Sequence, residues 1–106
     1  MPKYLIHITY TSEGLKGLLA EGGSGRQQAV EESLASVGGT LDAMYFALGQ
    51  DDLYCLVDVP NQITMAALAM TARSSGAVVS KAVPLLSVAE VDEAARMAVG
   101  FRRPGA

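Results

Sequence analysis

The amino-acid sequence predicts an α+β domain in which four antiparallel strands carry two helices on one face. The chain has 106 residues, half of them hydrophobic, which suits one domain with its own core. Strand-like and helix-like segments follow one another in the order β-α-β-β-α-β, and a further helical segment comes last. This order is typical of the ferredoxin-like fold. We expect residues 1–98 to form a single domain and residues 99–106 a C-terminal tail.

The first half of the chain predicts one strand and one interrupted helix. Residues 4–11 (YLIHITYT) are β-branched or aromatic and contain no breaker, as in a strand. Thr11 or Ser12 can cap a short helix, which the glycine-rich residues 21–25 (EGGSG) interrupt. A second helical piece follows and ends at Gly38-Gly39.

The glycine-rich stretch raises the question of a phosphate-binding loop. Such a loop follows a strand and needs the spacing GxxxxGK before Ser or Thr, and neither condition holds here. Ser24 and Gln27 instead fit a capping box that starts the second helical piece. We therefore expect this stretch to bend the chain rather than to bind a phosphate.

The middle of the chain predicts a β-hairpin followed by a helix. Two apolar segments, 40–48 and 53–59, are joined by the turn-forming residues GQDD. Asn61 can cap the next helix, QITMAALAMTARS. This helix is apolar nearly all round, which predicts burial on more than one side.

The last part of the chain predicts an edge strand and a helix. Residues 77–86 (AVVSKAVPLL) form the fourth strand, and Pro84 near its end suits a sheet edge. Ser87 and Glu90 have capping-box spacing before a last helix over residues 91–99.

The alternation along the strands divides the residues between two faces of the sheet. With Gln50 and Asp51 as the hairpin turn, the helix-covered face takes Met44, Phe46, Leu48, Leu53, Cys55, Val57 and Val59. The opposite side, here named the second face, takes Leu5, His7, Thr9, Tyr45, Tyr54, Leu56, Asp58, Val79, Lys81 and Val83. The second face is too apolar to be exposed alone, so we expect an oligomer interface, the floor of a pocket, or both. A hairpin longer by one residue would exchange the two faces of one strand.

His7, the single histidine, is the leading candidate for a site on the second face. It can serve as a general base or a ligand, or it can be a hydrogen-bonded interface residue. Asp58 can fix the tautomer of its imidazole, and Tyr45 and Tyr54 can orient a polar ligand or cover an interface. Lys81 can contact an anion or protect the sheet edge. The candidate ligand-binding residues are His7, Thr9, Tyr45, Tyr54, Asp58 and Lys81.

We expect neither a metal nor another cofactor. A protein metal site needs three or four ligands, and Cys55 points away from His7 and Asp58. A formal charge of −3 argues against nucleic-acid binding. No segment is long and apolar enough to cross a membrane, and the single cysteine excludes an internal disulfide. A cytoplasmic protein is the expectation.

Two stretches resemble the GYD-domain family of small bacterial proteins. They are PKYLIHITYTSEGLKGLLAEGGS at the start and the run YFALGQDDLYCLVDVPNQITMAALAMTARSSGAVVSKAVPLLS. The turn is Gly49-Gln50-Asp51-Asp52 in this chain, so the tyrosine of the naming motif is missing. The resemblance implies a dimeric α+β barrel, in which two ferredoxin-like sheets face each other. It implies no catalytic residues.

Two functions remain open. The first is a homo-oligomeric α+β barrel protein that binds a small molecule in a cavity over the second face. The alternative is a cofactor-independent monooxygenase or isomerase that uses His7 with Tyr45 or Tyr54.

Overall fold

The computed structural model describes residues 1–106 and contains four strands and three helices. These elements are β1 (Lys3–Tyr10), α1 (Ser12–Ala35), β2 (Thr40–Phe46), β3 (Leu53–Asp58), α2 (Gln62–Ser74), β4 (Val78–Leu85) and α3 (Val88–Ala95). The strands form one sheet in the order β2-β3-β1-β4, and every neighbouring pair is antiparallel. The predicted α+β class and ferredoxin-like element order are confirmed. No helix combines the length and the apolar character that crossing a bilayer requires.

Helix α1 bends at the glycine-rich stretch. Thr11 caps the helix by accepting a hydrogen bond from the amide of Gly14. The bend lies at Gly22, whose φ of 77° and ψ of 172° belong to a region that only glycine adopts readily. The predicted capping box is wrong, because Ser24 already lies inside the second helical segment and does not have the extended backbone of a cap. Arg26 instead forms an ion pair back across the bend with Glu21, at 3.2 Å between Nη1 and Oε1.

The other two helices begin where the sequence predicts their caps. Asn61 accepts a hydrogen bond from the amide of Thr64 at 2.8 Å and starts α2. Ser87 and Glu90 form the reciprocal bonds of a capping box and start α3. Helix α3 occupies residues 88–95 rather than 91–99, since a capping residue at position 87 places the first helical residue directly after it.

The core lies between the sheet and helices α1 and α2. It consists of Tyr4, Leu34, Leu53, Cys55, Val57, Val59 and Met65. The expectation that α2 is buried on several sides is wrong for the single chain, because only Met65 of this helix is buried. Met70 is 71% exposed, since no other element of the chain packs against the outer side of α2.

The β2–β3 hairpin has a longer loop than the sequence predicts. Phe46 pairs with Leu53, and residues 47–52 connect the strands. The register therefore differs by two residues from the predicted one. An even shift keeps the residues of β3 and those of β2 from Ala43 to Phe46 on their predicted faces. Leu48, however, leaves the predicted core and is fully exposed.

The loop takes this path because Asp52 binds the end of β1. Its carboxylate accepts from the amide of Tyr10 at 2.8 Å, and its own amide donates to the carbonyl of Ile8 at 2.8 Å. Both hydrogen bonds hold the loop against β1. They place Asp51, the residue before Asp52, over the second face.

Candidate functional site

Three predicted site residues lie side by side at the centre of the second face. His7 on the inner strand β1 is paired with Tyr54 of β3 on one side and with Lys81 of β4 on the other. Directly opposed residues of antiparallel strands share a face. The rings of His7 and Tyr54 meet edge to face, with centroids 4.9 Å apart.

The pairing also places the other predicted members on this face. Thr9 is paired with Val79, Leu5 with both Leu56 and Val83, and Tyr45 with Tyr54. The strand alternation alone therefore separated the two faces correctly.

Asp51 from the hairpin loop joins three of these side chains, and we name Asp51, His7, Thr9 and Tyr54 the Asp51 cluster. Its Oδ2 lies 3.2 Å from Nδ1 of His7 and accepts from the hydroxyl of Tyr54 at 3.4 Å. Its Oδ1 accepts from the hydroxyl of Thr9 at 3.1 Å. The Asp51 side chain is 14% exposed. One carboxylate thus holds a histidine and two hydroxyls in fixed positions.

The hydrogen bonds favour the ionised form of Asp51. The bond from His7, followed by that from Thr9, lowers the pKa of the Asp51 carboxyl below its ordinary value, and the charge of Lys81 acts in the same direction. An ionised carboxylate can only accept, so Nδ1 of His7 carries the proton of the bond between them. The Nε2 atom is then available for another partner.

Asp58 has a different partner from the one expected. It was predicted to fix the His7 tautomer, but it lies opposite Lys3 and accepts from its ammonium at 3.0 Å. Asp42 also accepts from Lys3. These two carboxylates raise the pKa of Lys3, and the ammonium lowers that of Asp42. The prediction is wrong because Asp58 lies four strand positions from Tyr54, at the other end of the face.

The structure brings together some candidates and separates others. His7, Thr9 and Tyr54 meet in the Asp51 cluster, and Lys81 borders it. Tyr45 lies beyond Tyr54 on the outer strand β2 and is 73% exposed.

Asp51 was missed because the sequence presents it as a turn residue. One signal was available: a carboxylate lies in the hairpin loop, and this loop can reach the strand that carries the only histidine. Asp42 was missed because the pairing is irregular between Leu41 and Ala43, which disturbs the simple alternation.

Cys55 is a core residue, as the sequence predicts. It is 1% exposed, and burial raises the pKa of its thiol to about 11. The thiolate, which is the reactive form, is therefore scarce at neutral pH.

The second face is an open surface in the single chain. Cavities of about 520 and 380 Å³ lie on the helix-covered side of the sheet instead. A closed cavity over the Asp51 cluster would need a second molecule to cover it.

Comparison with known proteins places the chain in one family. The family model of the GYD domain matches residues 4–95, which is most of the 106-residue chain. Neither a curated protein nor a solved structure matches the chain. The match covers the whole sheet except Lys3, the first residue of β1, and it covers all of the Asp51 cluster.

Proposed function

Since the chain belongs to the GYD domain family, we propose that it is a homo-oligomeric protein that binds a small molecule over the second face of its sheet. The observation that carries this proposal is the Asp51 cluster. It is an ordered set of a carboxylate, an imidazole and two hydroxyls on a sheet surface that no element of its own chain covers. Ligand sites commonly combine apolar walls with a few such fixed polar groups.

The ligand that suits this site carries a hydrogen-bond donor beside a negative or partly negative group. With the His7 proton on Nδ1 and the Tyr54 hydroxyl donating to Asp51, Nε2 of His7 and the oxygen of Tyr54 are left to accept from the ligand. The ammonium of Lys81 lies beside them and favours the negative group. Asp51 acts as a positioning residue, because it holds His7, Thr9 and Tyr54. Tyr45 and Asp58 lie further along the same face and would contact the ends of a longer molecule.

Self-association is supported by apolar side chains that the single chain leaves exposed. Val79 and Val83 lie on the second face. Val88, Val91, Met97, Val99 and Phe101 are exposed in and after α3. A second copy with its sheet facing this one would cover the apolar part of the second face and close the space over His7, as in the dimeric α+β barrels that the family resembles.

A cytoplasmic location is part of the proposal. The only cysteine is a free, buried thiol, which suits a reducing compartment and needs no oxidising one. The catalytic alternative gains no support from the comparisons, and we do not propose it.

The test combines oligomeric state with ligand retention. We expect light scattering after size-exclusion chromatography to give a mass of at least two chains at micromolar concentration. Native mass spectrometry of the gently purified oligomer should show a bound small molecule that His7→Asn and Tyr54→Phe lose. Lys16→Gln, an exposed change on α1, is the control. A stable monomer, or a ligand retained equally by both site variants, would contradict the proposal.

A further inference from the structure

Three buried polar side-chain atoms have no hydrogen-bond partner. They are the hydroxyl oxygen of Tyr10, Nε of Arg26 and the hydroxyl oxygen of Ser80, and they come from β1, α1 and β4. Buried polar groups are hydrogen-bonded in nearly all native structures, so each exception needs an explanation. These are all the unpaired buried side-chain atoms of the chain, and all three residues line one cavity.

That cavity is the cleft between α1 and α2 over the helix-covered side of the sheet. Its volume is about 520 Å³, within the range of sites for small molecules. Most of its wall is apolar and includes Ile8, Val30 and Leu68. An apolar cleft whose lining includes three residues with unpaired buried polar atoms is suited to a ligand that supplies the missing hydrogen bonds.

The charges around the cleft indicate an uncharged ligand. Nη1 of Arg26 is already paired with Glu21, so the guanidinium charge has a counter-ion and a second anion would lie near a carboxylate. Burial raises the pKa of Tyr10, so its hydroxyl keeps its proton at neutral pH. Nε of Arg26 can only donate, and the hydroxyls of Tyr10 and Ser80 can also donate. The missing partner is therefore an acceptor.

We propose that this cleft binds an uncharged, largely apolar molecule with one or two carbonyl oxygens. One oxygen accepts from Nε of Arg26, and the same or a second oxygen accepts from Tyr10 or Ser80. The apolar part lies between α1 and α2. This site is on the opposite side of the sheet from the Asp51 cluster, and its occupation does not depend on the function proposed for the second face.

The first test compares three related probes. Prodan is an uncharged dimethylaminonaphthalene that carries a propionyl ketone, and its emission moves to shorter wavelength in apolar surroundings. We expect Prodan to bind about tenfold more tightly than the analogue with a propyl group in place of the ketone, because each buried donor otherwise stays unpaired. The corresponding naphthoate should also bind more weakly than Prodan. Equal binding of the propyl analogue, or tighter binding of the naphthoate, would overturn the proposal.

The second test removes the donors one at a time. Arg26→Leu should weaken Prodan binding about tenfold and Tyr10→Phe about fivefold. Arg96→Leu, at the exposed C-cap that follows α3, is the matched control and should leave binding unchanged. Tyr10→Phe keeps the ring in place, so it remains informative if Arg26→Leu disturbs α1.

Ser80→Val separates a binding role from a structural one. It removes an unpaired buried hydroxyl from a strand, so we expect a higher thermal midpoint of the free protein together with weaker Prodan binding. Unchanged Prodan affinity in all three cleft variants would overturn the proposal. Loss of Prodan binding in His7→Asn, with Arg26→Leu unaffected, would locate the dye on the second face and would overturn it as well.

Discussion

The polar groups on the two sides of the sheet differ in whether they are hydrogen-bonded. On the second face, Asp51 joins His7, Thr9 and Tyr54, so these polar groups are bonded to one another. On the helix-covered face, Tyr10, Arg26 and Ser80 have polar atoms that are buried and unpaired. Bonded clusters hold residues in position, and unpaired buried groups lower stability until a partner arrives. The hydrogen-bonded Asp51 cluster suits a preformed contact surface. The unpaired groups of the cleft suit a site in which the ligand supplies the missing hydrogen bonds.

The largest expected effect tests whether the hairpin register separates the two faces as described. Leu53→Ala should lower the free energy of unfolding by about 2–5 kcal/mol, because a fully buried side chain leaves a cavity. Leu48→Ala should change it by less than about 0.5 kcal/mol, since Leu48 is fully exposed in the loop. Urea denaturation measures both. Comparable losses for the two leucines would show that Leu48 reaches the core, as the shorter hairpin requires.

The next effect tests the bend of α1, across which Arg26, a residue that lines the cleft, pairs with Glu21. Gly22→Ala should destabilise the chain by about 1–3 kcal/mol, because its φ of 77° is unfavourable for any side chain although there is space for a Cβ. Gly17→Ala is the control, because this glycine is helical and also has space around it. It should stabilise by about 0.5–1 kcal/mol. Thermal denaturation should give shifts of opposite sign, and shifts of the same sign would argue against the bend.

A smaller effect concerns α2, which forms the other wall of the cleft. Asn61→Ala should cost about 1 kcal/mol, since the amide of Thr64 loses its capping acceptor. Gln62→Ala, one residue further and exposed, serves as the control. Chemical denaturation at neutral pH measures the free energy of unfolding of both variants. A loss no larger than that of the control would mean that the end of α2 frays without cost.

The smallest effect at neutral pH is expected for Asp51→Asn, which keeps the shape and one acceptor oxygen of the carboxylate. The pKa of Asp51 is lowered in the folded protein, so its ionised form stabilises the fold when the pH is above the ordinary pKa of 3.8. This contribution is lost as the pH falls through the lower folded-state pKa. The difference in unfolding free energy between wild type and Asp51→Asn should therefore shrink as the pH falls from 5 to below 3.8.

Asp92→Asn, in the exposed helix α3, controls for the general effect of removing a carboxylate. A difference between wild type and Asp51→Asn that stays constant with pH would show that the charge of Asp51 has no preferred partner in the fold. The second face would then lack the bonded cluster that distinguishes it from the cleft.

Much of the candidate site followed from local patterns. His7, Thr9, Tyr54 and Lys81 were placed on one face because strand residues alternate, and the two-residue error in the hairpin register did not change that alternation. Local patterns did not identify the partner of His7. Asp58 lies on the same face as His7, as the alternation predicts, but it lies four residues along β3 from Tyr54, which is the residue paired with His7. Asp58 is therefore too far along the strand to bond to His7.

The sequence by itself determined the order of strands and helices, the capping residues Asn61 and Ser87, and the division of most strand residues between two faces, and it narrowed the first cap to Thr11 or Ser12. Each depends on residues within a few positions of one another. Only the tertiary structure decided that Asp51 bonds to His7 and that a cleft separates α1 from α2. Both depend on where a loop or a helix comes to lie against strands distant in the sequence, because loop paths and helix spacing follow from long-range packing rather than from local periodicity.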